Sequence, residues 1–465
     1  MGSVGRDNLD GLSAGVYGSG GAPWHHLALL ASCGAQVSVV RAGDIEAGML
    51  DSLDVLVVPG GGATATAGML EPLGKRGASA IRSWVQAGGT YVGSCAGSVL
   101  PLGLDGEASS ANPLASCMTM VDARLANSGG ATLGGLASPG VGTIRVRLEP
   151  GHPFNAGLPE TIDIVHYNGP LFDVTGAGES LEAFAWPESA TEAFTPAEGF
   201  LPNDSPGSGA LVLDACIAAG AATGLVARHG SGRVILFGSH PEFGLGPIGL
   251  GWGDPAQLLI NALASITPRR AASSPDWAVQ ASMPQDTPER LARAAAAALS
   301  FAAARFNRLA YEVPERWLEP AHAPSFHGLS GARIWQRDAQ AAAAAAETAA
   351  NSLVALAPHL TEDSLPWLDD EPRSGQDFGA MGLLQLVTRV HEFLDSAQET
   401  ATLPPRTPAH AYDLFDRHPY HLSTASYLSA AGLVAGCTLL VALLHYQAGQ
   451  SNADLDRLLW RQAND

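Results

Sequence analysis

Residues 89–97, Gly-Thr-Tyr-Val-Gly-Ser-Cys-Ala-Gly, are the part of the chain best suited to covalent chemistry. A short apolar run ends at Ser94, Cys95 follows, and Gly97 comes two residues later. That order is the cysteine form of a nucleophile elbow, a sharp strand-to-helix turn that needs small neighbours because its backbone is strained. Such a turn leaves a thiol at the C-terminal edge of a sheet and at a helix N-terminus, where the thiolate is favoured. A buried structural cysteine in a glycine-rich turn is the competing reading of the same residues.

Three other stretches are candidates to join it. Pro59-Gly60-Gly61-Gly62 follows an apolar strand-like run and can turn backbone N–H groups towards an anion. The amides of Gly61 and Gly62, with that of Ala96, would then make an oxyanion hole. Residues 232–242 (GRVILFGSHPE) deliver His240 at the end of a buried strand, with Glu242 two residues on and Pro241 fixing the turn. His240 would serve as base for Cys95 and acid for a leaving group, and Glu242 would orient its ring. Gly18, Ser19 and Gly20 lie in a glycine loop between a strand and a helix and are suited to an anionic or carboxylate group. Pro23 stands where a dinucleotide fingerprint needs its third glycine, which argues against dinucleotide binding.

The elements that must position these residues alternate strand and helix. Strand-like runs at 12–17, 36–40, 55–58 and 90–93 alternate with helical stretches at 23–33 and 78–86. Short, fully apolar strands between helices imply a parallel sheet covered on both faces. After residue 102 the pattern turns to strands and loops, with 141–148 and 162–166 reading as strands. Residues 224–228 and 233–239 flank a turn as a hairpin or two adjacent strands. A helix at 255–266 closes the unit. Residues 267–285, rich in Pro, Ser and Ala, read as a linker. Residues 286–465 read as an all-α domain of about five helices, from Ala-rich runs at 291–304 and 339–350 and periodic segments at 379–397 and 425–446. The uncharged run 427–444 is near the lower length of a membrane span, but its Ser, Gly, Thr and Ala and the absence of a flanking positive cluster favour a buried bundle helix.

Here the sequence is recognisable. VLVVPGGG, then IRSWVQAGGTYVGSCAG, then RVILFGSHPE resembles the class I glutamine amidotransferase-like superfamily over residues 12–266. Within it, VYGSGG at 16–21 and HYNGPLF at 166–172 are most similar to the biotin-protein ligase N-terminal-like family. That family's corresponding block usually carries one more glycine. The resemblance implies a three-layer α/β sandwich with a mostly parallel, flavodoxin-like sheet over residues 11–266. It implies a triad of Cys95, His240 and Glu242, oxyanion donors Gly61, Gly62 and Ala96, and Asn168 and Gly169 on a loop near the pocket. No biotin ligase catalytic domain is visible, so biotinylation is not implied.

The function expected is a cysteine-dependent amidohydrolase or amidotransferase acting on a small amide such as glutamine through a thioester. That chemistry needs no metal and no organic cofactor, and none is expected. Two other readings stay open: a lyase or hydratase of the DJ-1/PfpI kind using the same cysteine, and a non-catalytic sensor or scaffold.

Composition narrows the partners. The chain of 465 residues carries 45 acidic against 25 basic residues, a net charge of −20, and no basic stripe. It is a poor match for nucleic acid or an anionic membrane face. Lys75 is the sole lysine and is followed by Arg76, so there is no Walker A Gly-Lys-Ser/Thr, which argues against a lysine-dependent ATP-using ligase. Cys33, Cys117, Cys216 and Cys437 lack elbow context and read as small structural hydrophobes in a reducing compartment. No apolar leader opens MGSVGRDNLDGLSAG, and Arg6 breaks a myristoylation pattern, so a cytoplasmic location is expected. His391, His410, His418, His421 and His445 lack the carboxylate spacing of a bundle metal site. An acceptor enzyme, or a second copy held through the helical region, is the partner expected if ammonia is passed on.

Overall fold

Runs such as Val55–Val58 carry no polar residue, because both of their faces are covered. The computed structural model describes residues 8–19, 23–60, 65–102, 118–127, 139–176, 178, 180–196, 208–246, 250–268, 287–311, 332–369, 382–402 and 419–460. Five strands run parallel in the order β2 (Gln36–Val40), β1 (Ser13–Tyr17), β3 (Val55–Val58), β4 (Thr90–Ser94) and β12 (Gly232–Phe237). Val55, Val57, Val92, Ile235 and Phe237 face one hydrophobic core. Leu56, Val58, Tyr91, Val234 and Leu236 face the other. The period of two thus supplies both faces, and each fully buried Val or Leu side chain is worth roughly 1.5–3 kcal/mol.

Helices α1 (Trp24–Ser32) and α6 (Gly253–Ala264) cover the first face. Helices α2 (Ala42–Glu46) and α3 (Ala65–Gln86) cover the second, with α3 interrupted at Gly74 just after Pro72. The short α4 (Ala96–Val99) leaves the end of β4. Beyond β12 the sheet continues antiparallel through β11 (Gly224–His229), β9 (Leu181–Ala190) and β6 (Gly140–Leu148), with β7 (Thr161–Tyr167) and β10 (Thr195–Pro196) also paired to β6. The pair β5 (Arg124–Leu125) and β8 (Phe172–Asp173) forms a separate ribbon.

Two of the longer elements absent from the sequence pattern have a physical reason for being hidden. Strand β9 contains Pro187, which ordinarily excludes a central strand. Here Pro187 lies opposite Val146, next to a register shift between Arg145 and Val146 that accommodates the missing donor. Helix α5 (Ser208–Ala218) has apolar residues on most of its surface and so shows no clear helical period.

The C-terminal region is helical: α7 (Pro288–Tyr311), α8 (Ala332–Leu356), α9 (Leu365–Leu368), α10 (Leu383–Thr402), α11 (Pro419–Gln447) and α12 (Ala453–Leu459). Helices α7 and α8 pack together, and small residues such as Ala295, Ala296, Ala343 and Ala346 are buried in the core they share, where their size lets helix axes approach. Residues Ala430–Gln447 are long and apolar enough to cross a membrane, with mean hydropathy 1.5, but 78% of that stretch is buried within the protein. It packs on α1: a Cβ on Gly436 would lie 2.9 Å from Trp24 Cε3. At the other end, the Trp252 N–H donates to Leu459 O at 2.7 Å and the Trp252 and Trp460 rings meet edge-on at 4.8 Å. Helix α1 is therefore covered on both sides, which is why WHHLALLAS is apolar almost all round. Cys33, Cys216 and Cys437 are buried free thiols, and Cys117 lies outside the described residues.

Candidate active site

Strands β1, β3, β4 and β12 all end at the same edge, so Gly18, Gly60, Cys95 and His240 are delivered to one rim. Cys95 occupies φ 49° and ψ −117°, a conformation L-residues rarely adopt. Its N–H donates to Phe237 O at 2.8 Å, which binds the end of β4 to the end of β12. The Tyr91 hydroxyl donates to Gly97 O at 2.6 Å from below. Gly97 admits no side chain, since a Cβ there would lie 2.1 Å from Val58 O. Glycine at position 97 is thus required by the strand beside it.

His240 is held on several sides. Its N–H donates to Val165 O at 2.8 Å, its ring stacks on Phe243 with centroids 4.3 Å apart, and Tyr167 meets it edge-on at 6.4 Å. Its Nδ1 is 2.7 Å from Glu242 Oε1, so that nitrogen carries the proton and Nε2 is left for the thiol. Cys95 and His240 lie side by side against Gly60, close enough for the charge of one to act on the other. The Cys95 thiol also lies 3.6 Å from Tyr167 O. Gly60 sits over both partners: a Cβ there would be 2.5 Å from His240 Cε1 and 3.4 Å from Cys95 Cβ.

The electrostatics follow from burial and pairing. Burial opposes a charge on His240, but Cys95 and Glu242 outweigh it and raise the imidazolium to about 10. Burial pushes the Glu242 carboxyl up, but His26 and His240 outweigh it and hold the group at about 2. His166 is pushed down to about 3, chiefly by burial and then by the charge of His240. A cavity of about 170 Å³ lined by Asp54, Thr90, Ser231 and Arg233 lies at the opposite edge, where β3, β4 and β12 begin.

The structure brings together Cys95, His240 and Glu242, with Ala96 opening α4 beside the thiol. Gly18 and Ser19 lie on the same rim, and among the described residues Ser19 makes no hydrogen bond to these three. Gly20, Gly61 and Gly62 lie outside the described residues. Asn168, at φ 50°, and Gly169 follow β7, whose Tyr167 carbonyl faces the thiol. Asn127 pins that loop: its Nδ2 donates to Gly169 O at 3.2 Å and its Oδ1 accepts from the Leu171 N–H at 2.9 Å. Beneath it, His166 Nδ1 meets Ser239 Oγ at 3.0 Å, and Ser239 meets Thr223 Oγ1 at 3.1 Å.

Sequence reasoning missed Asn127, Phe243 and His26. The last had a signal. His25-His26 is a polar pair in an otherwise apolar helix, and a buried polar side chain needs a partner. His26 Nε2 lies 3.4 Å from Ser94 Oγ and 3.7 Å from Glu242 Oε2.

Among solved structures, a Thermoplasma acidophilum protein assigned as part of a GMP synthase aligns with 54% of this chain and 94% of its own, at 13% identity and TM-score 0.32. PurLQS from Thermotoga maritima aligns with 54% of this chain and 97% of its own, at 14% identity and TM-score 0.32. A cytoplasmic protein from Salmonella typhimurium aligns with 55% and 98%, at 13% identity and TM-score 0.30. No family model and no curated protein matches the chain.

Proposed function

We propose that residues 11–266 form a cysteine-dependent amidohydrolase or amidotransferase of the class I glutamine amidotransferase-like kind, with a small amide such as glutamine as substrate. One observation carries this reading. A cysteine on a strained strand-to-helix turn and a histidine both pack against Gly60, and the Nδ1 of that histidine is 2.7 Å from a buried carboxylate. The motif resemblance to the biotin-protein ligase N-terminal-like family supports the same class.

In this mechanism the thiol proton already rests on His240 Nε2, in keeping with the raised imidazolium, and Cys95 Sγ attacks the amide carbonyl carbon as the thiolate. The oxyanion is met by the Ala96 amide, with Gly61 and Gly62 as further donors. The C–N bond breaks as His240 returns the proton to the leaving nitrogen, releasing ammonia. Water, deprotonated by His240, then hydrolyses the thioester to the acid and regenerates the thiol. Glu242 stays ionised throughout and stabilises the imidazolium.

The test is ammonia release from glutamine and a panel of small amides by wild type, Cys95→Ala and Glu242→Gln. Turnover should vanish in the first variant and fall about 100-fold or more in the second. Full turnover by Glu242→Gln would instead favour a DJ-1/PfpI-like lyase or hydratase. An acceptor enzyme that takes up the ammonia is the partner this reading implies.

A further inference from the structure

We propose that His26, on α1, is a positioning residue of this site that holds Glu242 in line with His240. The inference rests on the triad reading above. Glu242 is 1% exposed, and a carboxylate so placed needs both oxygens compensated. Oε1 has His240 at 2.7 Å. Oε2 has no hydrogen-bond partner among the described residues, and His26 Nε2 at 3.7 Å is the ion-pairing group beside it.

His26 is itself fully enclosed, and burial, the dominant influence on it, keeps it neutral at pH 7. One ring nitrogen then carries a proton. Nδ1 has no partner among the described residues, whereas Nε2 faces Ser94 Oγ and Glu242 Oε2. The proton therefore belongs on Nε2, where the N–H dipole points between two oxygens. At 3.7 Å this is a charge–dipole contact rather than a full hydrogen bond. Removing it leaves one carboxylate oxygen facing apolar surroundings. The carboxylate is then free to turn away from His240 Nδ1, and the ring loses the alignment that presents Nε2 to Cys95. The titratable groups coupled in this way are His26, Glu242, His240, Cys95 and, through His240, His166.

The test is the rate of Cys95 alkylation by iodoacetamide against pH, which needs no knowledge of the substrate. His26→Gln can place an amide N–H near the Nε2 position, whereas His26→Asn reaches only as far as Nδ1. The two carry the same polar group, so the comparison separates position from burial of an amide. The Asn variant should lose roughly tenfold or more in rate at neutral pH, with its profile displaced to higher pH, while the Gln variant retains most of the wild-type rate. In a Glu242→Gln background, His26→Asn should have no further effect, because the group it serves is no longer charged. A purely structural role would lower reactivity in both backgrounds, and that result would overturn the proposal. So would a wild-type profile in the Asn variant, which would leave the triad reading standing. A wild-type Cys95 that ignores iodoacetamide at neutral pH would overturn both.

Discussion

Replacing Cys95 with glycine should leave the protein more stable than replacing it with alanine, the reverse of the usual order. At ordinary positions glycine is the poorer residue by about 0.5–1 kcal/mol, because it loses more backbone freedom on folding. Cys95 sits at φ 49° and ψ −117°, where a Cβ is strained and glycine is not. Such strain costs about 1–3 kcal/mol. Alanine keeps that cost and glycine sheds it, so the net advantage of glycine is about 1 kcal/mol. Both variants lack sulfur, so the lost interaction with His240 cancels between them. Urea unfolding of the two variants in one buffer gives the difference directly, provided their denaturant slopes agree. A glycine variant less stable than the alanine variant by the ordinary amount would refute the strained elbow and the mechanistic reading built on it.

Other consequences follow from the same geometry. His240 is raised from 6.5 to about 10, so the stability it contributes is fully present below pH 6.5 and lost as pH rises through 10. Glu242 is lowered from 4.5 to about 2, so its contribution is present above pH 4.5 and lost as pH falls through 2. Urea midpoints against pH should show both losses, and Glu242→Gln should weaken the alkaline one. Gly60→Ala would place a Cβ 2.5 Å from His240 Cε1, so Cys95 alkylation should fall about 10- to 100-fold while circular dichroism stays unchanged. Gly436→Ala would push a methyl against Trp24 and should lower stability by about 1 kcal/mol in thermal or urea unfolding.

Much of the scaffold could be read from local pattern. Val55–Val58 and Gln36–Val40 fall at the positions their runs suggest, because short β-branched runs flanked by glycine have few other options. The elbow was legible for a related reason: Gly93 and Gly97 carry no side chain because backbone packs directly against each of them. Strand β9 was not, since Pro187 is tolerated only by a register shift that depends on β6. The first half of α3 was hidden by Pro72 and Gly74, which break its period. The role of His26 was also hidden, because it comes from a contact between residues 216 positions apart, and no local pattern encodes such a meeting. The proposed linker at 267–285 lies mostly outside the described residues.

The central claim is that Cys95 is a nucleophile made by His240. Intact-mass and peptide mass spectrometry of the protein after exposure to an electrophilic glutamine analogue tests this most directly. One adduct at Cys95, formed at neutral pH and lost in His240→Ala, is the result expected. No adduct at Cys95, or one that forms as fast without His240, would contradict it.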